Sequence, residues 1–159
     1  MKRFVIGDIH GRLEALSDVL DKSKFDYKND LLIVLGDVVD GGHNTSGVIE
    51  LLRKIENLVF VIGNHDQMYM DFLFKNTMPS EWLNQGGSET LNSYGGNVIP
   101  GSSVHEEPLM IDVDGVQIPK PHIEFFKNGV YYFKYDNMLF VHGGFEPDTP
   151  IEKQDYLSI

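Results

Sequence analysis

Four short apolar runs, each closing on a small polar cluster, constrain this chain more than any other feature in it. Phe4-Val5-Ile6 leads into Gly7-Asp8-Ile9-His10-Gly11, and Leu31-Leu32-Ile33-Val34-Leu35 into Gly36-Asp37-Val38-Val39-Asp40-Gly41-Gly42. Leu58-Val59-Phe60-Val61-Ile62 leads into Gly63-Asn64-His65-Asp66, and Met138-Leu139-Phe140-Val141 into His142-Gly143-Gly144. Runs of this length and β-branched content read as buried strands. Each strand then delivers a carboxylate, an imidazole or an amide at its carboxyl end, the edge where sites assemble in open α/β sheets.

The segments between the first three strands carry helical spacing. Leu13, Leu16, Val19 and Leu20 mark a helix over residues 12–22, and Val48, Ile49, Leu51, Leu52 and Ile55 mark one over 46–56. A third is expected over 67–74. Strand–helix–strand repetition implies parallel pairing and right-handed crossovers, hence an α/β fold. The middle of the chain differs. Residues 84–115 hold Gly86-Gly87, Gly95-Gly96, Pro100-Gly101 and Glu106-Glu107-Pro108 with little apolar period, and read as loops, a lid or a substrate rim. Trp82, just before them, reads first as a cap on the edge of the core and second as a residue flanking a site. Pro121-His122-Ile123-Glu124-Phe125-Phe126 reads as a short helix. Residues 131–135 and 138–141 then read as a hairpin across Asp136-Asn137.

Composition narrows the class. At 159 residues, with 42% hydrophobic and 23% charged residues, the chain suits one soluble domain, residues 1–159. Without cysteine it has no disulfide framework, thiolate metal site or cysteine nucleophile, which fits a reducing, cytoplasmic setting. Met1-Lys2-Arg3 precedes only three apolar residues, too few for a signal peptide, and no run approaches the roughly 18 residues of a membrane span. A formal net charge of −11 argues against binding along a nucleic-acid backbone. It also opposes an anionic substrate, an opposition that bound metal ions answer locally. Nothing in the sequence encodes an oligomeric state.

The polar clusters themselves point to metal chemistry. Asp, His and Asn are ligands for a hard-to-borderline divalent ion. Asp8 and His10 alternate about Ile9, so in an extended segment both point to one side and suit a single ion. Asp37 has two oxygens and can bridge two ions; Asn64 offers a neutral carbonyl oxygen and His142 a second imidazole. Two ions about 3.5–4 Å apart clamp a phosphoryl group and generate hydroxide at neutral pH. His65, next to Asn64, is placed to protonate a leaving alkoxide, and Asp40 to hold that imidazole in its charged form. Gly7, Gly36 and Gly63 are expected to let backbone crowd the ions.

On these motifs the chain resembles the calcineurin-like metallophosphoesterases, in their phosphoprotein-phosphatase branch. It is similar there to bacterial and phage serine/threonine phosphatases and to symmetrical dinucleoside tetraphosphatases, whose pattern reads GDxHG, GDxxDRG, GNH[ED] and HGG or HAG. The stretch from Leu139 to Phe145, with Pro150 to Gln154, is close to that branch. The resemblance implies an αββα sandwich of two mixed sheets flanked by helices. It implies a first metal on Asp8, His10 and Asp37, a second on Asp37, Asn64 and His142, and His65 as general acid supported by Asp40. It implies two divalent ions, manganese first, with iron, zinc or magnesium as alternatives. The expected substrate is a phosphoprotein, a small phosphomonoester or a dinucleoside polyphosphate.

Two departures stand out. Gly41 occupies the place of the pattern's arginine, which grips the substrate phosphate with a bidentate fork. Arg12, His43 and Lys153 are candidates to replace it. The pattern's later GH[T/S] histidine and second arginine have no counterpart before Ile159, which reads as a C-terminally truncated domain lacking its closing strands. His105 is a substitute candidate for that histidine, whereas His122 reads as structural. The alternative function is a non-catalytic metal- or phosphate-binding scaffold of the same fold. Retention of both His65 and Asp40 speaks against it, since a scaffold needs no acid. A Rossmann-type nucleotide binder fits poorly, since no G-x-G-x-x-G follows the first strand and carboxylates stand where phosphate-cradling glycines would sit.

Overall fold

The computed structural model describes residues 1–75, 77–78, 80–98 and 115–155. The first half alternates as expected: β1 (Arg3–Ile6), α1 (Leu13–Lys22), β2 (Leu31–Val34), α2 (Thr45–Leu52), β3 (Asn57–Phe60) and α3 (Asn64–Lys75). The three strands form a parallel sheet in the order β1-β2-β3, with Arg3 opposite Leu31 and Leu31 opposite Asn57. β2 is central and covered on both faces, which is why its four residues are all apolar and all buried.

One face of the sheet carries Leu32, Val34 and Phe60 into the main core. They meet Leu16 and Leu20 of α1, Val48, Ile49 and Leu52 of α2, and Phe125 and Phe126 of α6 (Lys120–Lys127). The other face carries Leu31, Ile33 and Val61 against Phe133, Tyr135 and Phe140. Those aromatics belong to an antiparallel hairpin, β4 (Tyr132–Tyr135) and β5 (Met138–Val141), with Tyr132 opposite Val141. Helices, parallel sheet and hairpin are thus stacked in that order, and the two-sheet α/β architecture stands. No helix among the described residues is long and apolar enough to cross a membrane.

Three boundaries differ from the sequence reading, each for a local reason. α2 ends at Leu52 rather than 56, because Lys54 and Ile55 donate to Leu51 and Leu52 and tighten the last turn, and Glu56 then donates to Tyr27. α3 starts at Asn64 rather than 67, closed by the Gln67 amide on the Gly63 carbonyl at 2.9 Å. The stretch read as loop from residue 84 is instead folded into the core up to Ser93. α4 (Ser80–Trp82) and α5 (Ser88–Ser93) flank a turn over Leu83–Gly87 that kinks at Gly86, where φ is +110°. Helices this short, broken by two glycines and carrying buried Ser88 and Thr90, show no readable apolar period. The remainder of the predicted loop, 99–114, lies outside the described residues, and so does His105.

Candidate metal centre

The four polar clusters meet at the carboxyl ends of β1, β2, β3 and β5. Asp37 is the hub. Its carbonyl oxygen accepts from the amides of Ile9 (3.0 Å) and His10 (2.9 Å), which brings the loop after β1 onto the loop after β2. Its Oδ1 accepts from the His65 amide at 3.0 Å, and that bond anchors the carboxylate to the first turn of α3. Oδ2 is left facing both imidazoles, 3.9 Å from His10 Nε2 and 3.4 Å from His142 Nε2. Asp8 Oδ2 lies 3.7 Å from His10 Nε2, and donor atoms of Asp8, His10 and Asp37 all fall within 4.8 Å of one another. On the other side Asn64 Oδ1 lies 3.1 Å from His142 Nε2.

Both imidazoles are tied back by their other nitrogen. His10 Nδ1–H donates to the Val39 carbonyl at 3.0 Å and His142 Nδ1–H to the Leu35 carbonyl at 2.5 Å. A carbonyl only accepts, so a proton sits on Nδ1 and each Nε2 is the atom turned to the centre and able to ligate once unprotonated, the arrangement that outer partners impose on metal-ligating histidines. Two imidazoles, two carboxylates and an amide oxygen converging in this way fit a pair of borderline divalent ions. The charge balance agrees. Burial by itself would raise the Asp37 carboxyl, but the hydrogen bond and charge of His142 bring it below its ordinary value. The same hydrogen bond, opposed by burial, lifts His142 to about 9.

Three of the five described non-glycine residues with positive φ lie in this cluster, Lys24 and Asp136 being elsewhere. His10 (φ +46°), Asp37 (φ +50°) and Asp40 (φ +67°) are left-handed without being glycine. This corrects the reading of Asp8-Ile9-His10 as extended: the two side chains converge because His10 turns, not because residues alternate. Gly36 (φ +88°) is required, since a Cβ there would lie 2.6 Å from the Gly63 nitrogen. A Cβ on Gly63 would meet the Asp37 carboxylate. Gly7, by contrast, has open space around it and does not crowd the centre.

At the rim, His65 Nδ1 meets Asp40 Oδ2 at 2.8 Å, and this bond raises the imidazole above its ordinary pKa against the effect of burial. Arg12 and His43 line one cleft of about 580 Å³ with Gly11, Gly41, Gly42 and Asn44. Both side chains are exposed and pair with no other described residue. Lys153 sits on the short 3₁₀ turn Ile151–Lys153 and does not line that cleft. His122 is structural, as expected: it is fully buried between Tyr94 (2.9 Å) and Glu50 (2.6 Å). A further cleft of about 580 Å³, lined by Arg53, Phe60, Lys120 and Phe125 among others, contains none of the site residues.

Three residues have contacts in the site that the sequence reading did not find. Asp66, wholly buried, accepts from the amides of Asp37 (2.6 Å), Val38 (2.9 Å) and Gly63 (2.9 Å) and so clips two site loops together. Burial raises its carboxyl to about 7, while the three amide donors favour the carboxylate. Trp82 and Thr90 both donate to Asp40, at 2.9 and 2.7 Å. Asp66 stood in the third motif and was visible there as a residue, though not as a clip. Trp82 joins the two roles the sequence set against each other, being buried and also touching the site.

A profile of the calcineurin-like phosphoesterase family matches residues 1–158. Serine/threonine-protein phosphatase 1 of Salmonella typhimurium is 38% identical over 84 residues, 53% of this chain and 38% of that protein. The symmetrical bis(5'-nucleosyl)-tetraphosphatase of Wigglesworthia glossinidia brevipalpis is 36% identical over 67 residues, 42% of this chain and 25% of that protein. Among solved structures, a candidate diadenosine tetraphosphatase superposes with a TM-score of 0.65 at 22% identity, over 95% of this chain and 54% of that one. At that identity it attests the fold alone. The matched stretches span well under two thirds of the length of each of these proteins.

Proposed function

The chain belongs to the calcineurin-like phosphoesterase family, and on that premise we propose that it hydrolyses phosphoesters at a metal pair shared across Asp37. The observation that carries this reading is the position of Asp37 Oδ2 between two imidazole Nε2 atoms, each fixed from behind by a backbone carbonyl. Asp8, His10 and Asp37 would hold one ion, and Asp37, Asn64 and His142 the other. Bound divalent ions supply polarisation of the phosphoryl group and activation of water. Manganese is the first candidate; iron, zinc and magnesium also suit the donor set.

The chain's own residues do the rest. His65, held charged by Asp40, gives its proton to the departing oxygen and takes no part in holding metal. Arg12 and His43, exposed beside Gly41 and paired with no other described side chain, replace the missing arginine as a grip on substrate phosphate. The substrate is a phosphoprotein, a small phosphomonoester or a dinucleoside polyphosphate, in keeping with the names of the relatives.

Hydrolysis of 4-nitrophenyl phosphate, with manganese and with chelator, tests the activity. Manganese-dependent turnover is expected. Two bound ions without turnover on any substrate class would favour a scaffold, the reading that Gly41, in the place of the pattern's arginine, supports. His65→Asn is expected to keep both ions and lose kcat, with phenyl phosphate losing about 100-fold more than 4-nitrophenyl phosphate, whose leaving group needs no proton. An equal loss on both substrates would remove His65 from the role of acid.

A further inference from the structure

Asp40 is fully buried, yet among the described residues its only basic neighbour in hydrogen-bonding contact is the imidazole of His65. What surrounds it otherwise comes from a segment of sequence more than forty residues away. The Trp82 indole N–H reaches Oδ2 at 2.9 Å. The Thr90 hydroxyl reaches Oδ1 at 2.7 Å, and the same hydroxyl oxygen accepts from the Asp40 amide at 2.8 Å. Thr90 therefore grips Asp40 at both its backbone and its side chain, while the residue is held left-handed at φ +67°.

These contacts suit one arrangement of donors and acceptors. An indole N–H can only donate. The Thr90 oxygen, already accepting the Asp40 amide, has its own proton directed at Oδ1. Both carboxylate oxygens thus accept from neutral donors, an arrangement that suits Asp40 Oδ2 as acceptor and His65 Nδ1 as donor in their 2.8 Å contact. The other ring nitrogen, Nε2, is then the one turned to the reaction.

The indole has little freedom to leave this position. Trp82 packs against Tyr69 and Phe72, with ring centroids 6.1 and 5.5 Å away. Gly87 backs the ring so closely that a Cβ there would lie 2.5 Å from Cε2. Gly86 presses on the Asp40–Gly41 backbone in the same manner, its ideal Cβ 2.3 Å from the Gly41 nitrogen. The kinked turn between α4 and α5 is shaped around Asp40 and the indole.

We propose that Trp82 and Thr90 are positioning residues for proton transfer: they hold Asp40 as a fixed, ionised acceptor that sets the tautomer and aim of His65. This inference rests on the reading of His65 as the acid. It predicts that removing either donor slows only those reactions that need the proton.

The test uses Trp82→Phe, which keeps an aromatic ring and removes the N–H, and Thr90→Val, which keeps shape and removes the hydroxyl. Each is assayed in the manganese-loaded protein on phenyl phosphate and on 4-nitrophenyl phosphate, alone and combined with His65→Asn. In the metal-free protein the His65 Nδ1 proton resonance is followed by NMR. Expected for each single variant is a fall in kcat of roughly tenfold on phenyl phosphate and under about twofold on 4-nitrophenyl phosphate. No further selective loss is expected in the His65→Asn background, and the Nδ1 proton should be exchange-broadened relative to the parent. Equal losses on both substrates, additive losses with His65→Asn, or an unchanged Nδ1 resonance would overturn the proposal. If His65→Asn alone shows no leaving-group bias, the reading beneath it falls too, and the NMR result still separates the two failures.

Discussion

His142 shows how the environment of a single residue prepares this centre. The Asp37 hydrogen bond lifts its imidazole from 6.5 to about 9, so the metal-free protein holds it as a cation at neutral pH. Because the folded value is raised, the stability from this pair is fully present below about pH 6.5 and is lost as pH rises through about 9. A metal ion needs the Nε2 lone pair, so its binding at pH 7 must displace a proton. Two results are expected: in chelator the thermal midpoint falls between pH 6.5 and 9, and manganese added at pH 7 in weak buffer releases protons. A midpoint rising over that window, or uptake without proton release, would contradict the assignment. At this scale the sequence was informative. That Asp8, His10, Asp37, Asn64 and His142 converge was legible because each closes an apolar run, and the nearness of His65 and Asp40 because they lie in the same clusters. The bonds of Trp82 and Thr90 to Asp40 were not, because they span 42 and 50 residues and leave no local pattern.

Elements explain how those side chains stay in place. The loop after β2 and the first turn of α3 are joined through Asp66, whose carboxylate takes the amides of Asp37, Val38 and Gly63. An asparagine could serve the two amides on Oδ2 but would set its own NH₂ against the Val38 amide. Asp66→Asn is therefore expected to cost about 1–3 kcal/mol in the metal-free protein, read by urea denaturation, and to weaken manganese binding with it. Unchanged stability and affinity would show that the clip is dispensable. The strands and the first three helices were readable because apolar period and element agree there. The stretch from Leu83 to Ser93 was not, because two glycines and a run of buried small polar residues imitate a loop. Gly86 and Gly87 signal closeness to Gly41 and Trp82, a tertiary fact that a linear pattern does not carry.

Across the whole molecule, a chain of formal charge −11 gathers Asp8, Asp37, Asp40 and Asp66 at one sheet edge. Asp40 and Asp66 are neutralised or satisfied by His65 and by backbone amides; Asp8 and Asp37 are left to face His10 and His142. A divalent pair would offset the unsatisfied charge and give an anionic substrate something to approach. This distribution separates the residues that would hold metal from those that hold the loops, and in the proposed centre Asp37 would be common to both ions. The number of manganese ions bound per chain, measured by elemental analysis for the parent and for Asp37→Asn, tests that arrangement most directly. Two ions falling to none is the expected result, because one substitution removes a ligand from both sites. One ion retained at full occupancy in Asp37→Asn would contradict a shared centre.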